Sequence, residues 1–385
     1  VKINFATLAV TLPLQASKVM VQKMTVKMLA FLIIILVMIP FSSCSQRKPR
    51  SKIISDKRFL GVIETTGQDN KSFLTFYDKA LIKQDTLELP FGSMGSYFDL
   101  PKVQDHYLYI VPRGIASIKD LSIVLEVDLS AGKYKTYDMK QPQINSFCVD
   151  DDYVYSVNTL NHQSIISQYN KTDEVLNTLE IGKIFIGKID RYQDKLYAFG
   201  FGDDGMGSMQ SYLYIIDPIQ LTIEMEIDLT EEGQDQLGTI SIQNNLYFTN
   251  ALKYNQNRGE IPSTNLSQLD TKQHSITSIS LQSTYPFQIL EHQEKLYISH
   301  YNLVQGKGNQ LSVYDPALKI TEIHDFQHHL AQISIHDGHI YITDGEKLYT
   351  YIIEADTFRK VKEIDIYTKR HENNHYYISG FFVTP

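Results

Sequence analysis

The chain keeps returning to one pattern of polar and apolar positions: a polar turn, an apolar residue, a tyrosine, then further apolar residues. It reads Asp105-His106-Tyr107-Leu108-Tyr109-Ile110, then Asp152-Tyr153-Val154-Tyr155, then Asp194-Lys195-Leu196-Tyr197-Ala198-Phe199. It comes back as Asn245-Leu246-Tyr247-Phe248, Lys295-Leu296-Tyr297-Ile298 and His339-Ile340-Tyr341-Ile342. The tyrosines at 109, 155, 197, 247, 297 and 341 fall 46, 42, 50, 50 and 44 residues apart. Apolar runs without polar alternation predict strands covered on both faces. A period of about 40–50 residues built from strands and turns predicts propeller blades.

In the fourth unit the pattern divides into an innermost strand over 185–192 and a second over 195–200. A third covers Ser211–Ile216 and an outermost one Thr222–Leu229. Third strands end in Asp78, Asp128, Asn170, Asp217, Asp270 and Asp315, side chains suited to bonding the backbone two residues on. Pro218 and Pro316 follow directly, where a missing N–H does no harm. The first unit offers Phe59–Ile63 and Ser72–Asp78 but no innermost strand ahead of them. Tyr376–Val383 stands alone at the other end. The expectation is therefore an all-β, seven-bladed β-propeller over residues 52–385, with the C-terminal strand closing the ring on the first blade. Six is the count if the first unit is not a blade. Closure removes sheet edges that otherwise invite aggregation. A β-sandwich also has short, evenly spaced strands, but not the return of the whole four-strand unit.

Ahead of the repeats, Lys23 and Lys27 precede the apolar run Met28–Ile39, which is short for a membrane-spanning helix. A basic start, a short apolar stretch and small residues at its end make a secretory signal. Phe41-Ser42-Ser43-Cys44 resembles the lipobox of bacterial lipoproteins, which implies cleavage before Cys44 and a lipid on its sulfur. That reading divides the chain into an upstream segment 1–19 with no folded role, a signal peptide 20–43, and a lipidated, basic tether 44–51. An uncleaved anchor helix is the alternative. Either places the repeats outside the cytoplasm, in the cell envelope and held at a membrane. The repeats themselves resemble seven-bladed propellers of bacterial cell-envelope proteins, at the level of pattern rather than of any motif.

Composition narrows the functional classes. Beyond residue 44 the chain carries 32 basic and 44 acidic side chains, a formal −12, which argues against nucleic acid as a partner. There is no tryptophan among 25 tyrosines and 18 phenylalanines, which weighs against propellers of the quinone-cofactor, WD and Asp-box kinds. No cofactor is expected. The two cysteines, Cys44 and Cys148, do not suggest a disulfide framework, and Cys148 reads as a buried strand residue. No GxSxG elbow, P-loop or dinucleotide fingerprint occurs.

Loop length is the remaining guide to a site. The stretch holding the loop between second and third strands varies most, and variable loops on a rigid scaffold commonly carry binding. Those loops contain Arg113, Asp203, Asp204, Tyr254, Asn255, Arg258, His300, Tyr301 and Asn302. Gly202–Gly207 lacks the acidic spacing of an EF-hand, and His324, His328, His329 and His336 read as solvated loop residues rather than metal ligands. The expected function is a non-catalytic, lipid-anchored propeller that binds a protein, peptide or glycan through this face. A hydrolase or lyase on the same scaffold, or a subunit of an envelope assembly, are the alternatives.

Overall fold

The computed structural model describes residues 56–95, 99–115, 117–203, 208–255, 259–355, 357–366 and 374–384. The upstream segment, signal peptide, Cys44 and tether lie outside the described residues, as do Asp204 and Arg258. Seven four-stranded antiparallel sheets follow one another around a common axis. Their inner strands are, in turn, Tyr377–Val383, Lys102–Gln104, Ile144–Val149, Phe185–Tyr192, Thr239–Ile242, Pro286–His292 and Gln332–His336. Each is followed outward by a second, third and outer strand, as expected from the fourth unit, whose strands span 185–192, 195–203, 209–217 and 222–228.

The ring closes as the sequence predicts. Tyr377–Val383 pairs antiparallel with Leu60–Thr65 and supplies the inner strand of blade 1. Thr384 then donates its backbone N–H to Phe59 O at 2.8 Å. Closure also explains why blade 1 lacks the repeating tyrosine. Tyr109 faces Glu126, two residues before the turn residue Asp128, and the corresponding partner of Phe76 is Gly61. A Cβ on Gly61 would meet the ring of Phe382 at 2.2 Å. The aromatic ring that other blades place on their second strand thus comes here from the closing strand. It packs edge-on to Phe76, with centroids 6.3 Å apart.

The core is divided among the gaps between blades. One cluster joins blades 1 and 2 through Phe76, Leu108, Ile110 and Phe382; another joins blades 3 and 4 through Tyr155, Ile166, Ile189 and Leu196. The remaining gaps are filled alike, and Tyr341, Leu348, Leu60 and Phe381 pack blade 7 onto blade 1. All six repeat tyrosines are buried. They fit because the ring fills an inter-sheet gap while the hydroxyl reaches a polar group, as Tyr109 does at Glu126, 2.8 Å away.

Inner strands have no backbone ladder to one another, so side chains stitch them. Gln288 of blade 6 accepts from Ile333 N at 2.8 Å, and Gln332 of blade 7 accepts from Phe381 N at 2.8 Å and donates to Phe381 O at 2.6 Å. Between blades 2 and 4 the stitch is ionic. Asp99 accepts from Lys188 at 2.7 Å and from Phe147 N at 2.9 Å, with Ser146 Oγ and Lys102 beside it. Burial alone would raise the Asp99 carboxyl, but the two ammonium groups hold it below the usual range. A buried carboxylate so fully paired is a rivet, since losing one partner would leave the charge stranded.

Candidate functional site on the loop face

Because every blade is antiparallel, its turns fall into two sets. Turns joining first to second and third to outer strands lie at one end of the wheel. Loops joining second to third strands, and connectors from one blade to the next, lie at the other. At the first end the turns of blades 2 to 6 are alike, whereas in blade 1 Asp78 Oδ1 accepts from Ile82 N, four residues on, at 2.9 Å. Asp128, Asn170, Asp217, Asp270 and Asp315 each accept two backbone N–H groups, from the residues two and three positions on, at 2.8–3.0 Å. Those bonds lower the carboxyl pKa of Asp217 and Asp270, led by the N–H of Gln220 and of Gln273 respectively.

The second end is irregular. In blade 3 the second and third strands meet in a tight turn, Asn161 and His162, both with left-handed backbone. In blade 2 the same connection runs from Val111 to Ser122 through a short 3-10 turn, Ile118–Asp120, and exposes Ile115 and Ile118. In blade 6 the loop tip bears Val304, 97% exposed.

Blade 5 departs furthest. Its second and third strands, Asn245–Asn255 and Gly259–Asp270, form the longest described hairpin. The connector from blade 4 climbs beside it: Gln234 exchanges backbone hydrogen bonds with Leu252 at 2.8 and 3.2 Å. Gln236 donates to Asn250 Oδ1 at 2.9 Å, and Asn250 donates to Ser267 Oγ at 2.9 Å. Gly233 makes this approach feasible, with φ +133° and a would-be Cβ 2.6 Å from Leu252 O. Asp235 sits in the connector with φ +57°. Burial, and then Glu260, push its carboxyl up to about 6.

Among the residues singled out from sequence, Arg113, Asp203, Tyr254, Asn255, His300, Tyr301 and Asn302 all lie toward this end. They are spread over blades 2, 4, 5 and 6. Asp203 is exposed at the end of a blade 4 strand, and Tyr254 and Asn255 are half-buried near the tip of the blade 5 hairpin. His300 and Asn302 belong to the framework of blade 6. The His300 ring nitrogens meet Thr284 O at 3.0 Å and Ser312 Oγ at 2.7 Å, and burial lowers the imidazole pKa to about 4. Asn302 Oδ1 caps its loop by accepting from Gln305 N at 3.0 Å. Cys148 is a free, buried strand residue, and burial raises its thiol pKa.

His329 is an exposed connector residue, as expected from the sequence, but the other three histidines differ from that expectation. His324 lies on the outer strand of blade 6 and His328 in the connector to blade 7, and neither is a solvated loop residue. His328 stacks on Tyr349 with centroids 3.6 Å apart and meets Tyr351 Oη at 2.8 Å. His324 packs edge-on to Phe358 at 4.9 Å, and His336 edge-on to Phe59 at 5.3 Å. His324 and His328 flank a groove of about 620 Å³ between blades 6 and 7, toward the loop end of the outer wall. Phe326, Tyr351 and Phe358 give it aromatic surface, and Asp325, Gln327, Lys360 and Glu363 line it with polar groups. Among the described residues no group of three or more His, Cys, Asp or Glu is placed to hold a metal ion.

No family model matches the chain, and no curated protein does. Solved structures with a similar fold include a functionally unknown protein from Desulfotomaculum acetoxidans, at TM-score 0.56 and 11% identity, covering 84% of this chain and 99% of that one. Another is the dihydro-heme d1 dehydrogenase NirN in complex with DHE, at TM-score 0.50 and 11% identity, covering 85% and 75%. A chain of the mitotic checkpoint complex matches at TM-score 0.50 and 9% identity, covering 72% and 81%. At such identities the likeness is one of fold.

Proposed function

We propose that this protein is a lipid-anchored, extracytoplasmic propeller that binds a protein, peptide or glycan on its loop face without transforming it. The observation that carries the reading is the buttressed hairpin of blade 5. Six blades make a complete inter-blade core without such an extension, so ring-building does not require the second layer of hydrogen bonds from residues 233–236. Rigid, raised elements on a scaffold suit recognition, because ordering them beforehand removes an entropic cost from binding. The leader ending in Cys44 supports the anchor and the compartment. The test is a pull-down from envelope extracts with the full chain and with Tyr254→Ala. A partner retained by the parent and lost with the variant supports the reading, and equal recovery by both sinks it. Metabolic labelling with a fatty-acid analogue that fails to mark the parent, or marks Cys44→Ala equally, would remove the anchor.

A second reading, a hydrolase or lyase, draws on Asp235. A carboxyl raised to about 6 beside Glu260 has the character of a general acid. Turnover of a glycan or peptide panel that survives in Glu260→Gln but falls in Asp235→Asn would favour it over binding alone.

A further inference from the structure

The groove between blades 6 and 7 goes beyond the first reading: it is a separate site from the blade 5 hairpin, and its lining states what kind of ligand would fit. We propose that it seats a neutral saccharide, with a sugar-ring C–H face against Phe358 and hydroxyls toward Asp325, Gln327 and Lys360.

Three observations lead there. The first is size: about 620 Å³ lies within the range of small-molecule sites. The second is the texture of the walls. Phe358 is the partly exposed ring, and the buried rings of Phe326 and Tyr351 back it, with Phe326 centroid distances of 5.1 Å to Tyr351 and 5.3 Å to Phe358. Hydrogen-bonding side chains rise on both sides, Asp325 and Gln327 from blade 6, Lys360 and Glu363 from blade 7. A purely apolar ligand would cover these polar groups without replacing their water, at a cost for each. A sugar presents C–H patches and hydroxyls within one ring and answers both surfaces.

The third is charge. Lys360 is held by Glu363 at 2.5 Å, and Glu363 also by Lys347 at 2.5 Å. Glu363 is held down to about 2 by Lys347 and then Lys360, so this carboxylate stays ionised and engaged. Burial lowers the His328 pKa, which leaves its ring neutral at pH 7. Asp325 already accepts from Gln310 at 2.9 Å. Gln310 is neutral, so the lining carboxylates Asp325 and Glu363 outnumber Lys360 by one, which disfavours an anionic ligand and leaves the mixed walls to favour an uncharged polar one. Its rigidity is local: His328 is locked between Tyr349 and Tyr351, so the wall is formed before any ligand arrives.

Titration calorimetry of the full chain in detergent with neutral gluco-, manno- and xylo-oligosaccharides tests this, with oligogalacturonate and a basic peptide as charged comparators. At least one neutral oligosaccharide is expected to bind saturably. Its affinity should fall about tenfold in Phe358→Ala and about threefold in Lys360→Ala or Asp325→Ala, and stay unchanged in Ile219→Ala, an exposed turn residue of blade 4. Should Phe358→Ala not fold, the two surface variants decide. The inference is overturned if no neutral sugar binds, if a charged comparator binds better, or if the groove variants leave sugar affinity intact. Loss of sugar binding in Tyr254→Ala alone would keep the loop-face reading and discard the groove.

Discussion

Blades 1 and 5 stand at opposite extremes of the same design. Blade 1 is assembled from both ends of the chain, and its inner strand, its missing tyrosine and its packing all serve closure. Blade 5 is assembled from one stretch and carries more than closure needs: a long hairpin, a buttressing connector and a half-buried carboxyl. Where removal of a feature would open the ring, the feature is framework. Where the ring would survive its removal, the feature has some other use.

The largest effect should come from ending the chain at residue 376. Without its closing strand, blade 1 exposes both a free strand edge and an apolar gap, and the expected product lacks a cooperative thermal transition and aggregates. A truncated protein that melts like the parent would remove the distinction between the two blades. Next, Phe382→Ala should cost about 3–5 kcal/mol by chemical denaturation, as for a buried phenylalanine. Gly61→Ala should also destabilise, since its methyl meets that same ring. The two losses should not add: Gly61→Tyr combined with Phe382→Gly, which restores the repeat's own tyrosine, should be more stable than either single change.

In blade 5 the expected sign reverses. The Asp235 carboxyl titrates near 6 when folded and near its ordinary value when unfolded, so the folded state is the stronger proton binder. Stability from this group is present at low pH and lost as pH rises through about 6. Asp235→Asn should therefore stabilise the protein by about 1–3 kcal/mol at pH 7.5, with the gain disappearing below about pH 4. His300 gives the opposite slope: with its imidazole lowered to about 4, stability falls as pH drops below about 6.5. His300→Gln should flatten that part of the pH–stability curve. The smallest effect belongs to Tyr254→Ala, within about 0.5 kcal/mol in stability, because a half-buried residue near a hairpin tip holds little of the core.

The repeat tyrosines, the Asp and Asn turns and the closing strand were legible because each depends on neighbours a few residues away or on a period. Gly61 was not. Its meaning depends on Phe382 at the other end of the chain, and no local pattern connects them. The groove was half-legible. His324 and His328 stand out in sequence, but their environment comes from Tyr349, Tyr351 and Phe358 on the neighbouring blade. Spacing along one strand cannot report which ring from the next sheet will lie against it. His300 and Asn302 illustrate the converse. Their place at a strand end marked them for the loop face, while pairing with Ser312 and Gln305 turned them inward.

The seam at residues 377–383 also sets a schedule. During synthesis six sheets can form as they emerge, but the first must wait, incomplete, until residues 377–383 have been made. Contacts between such distant parts of a chain form slowly. Until then the polypeptide remains an open arc rather than a finished disc, and residues 377–383 act as the clasp that ends that interval.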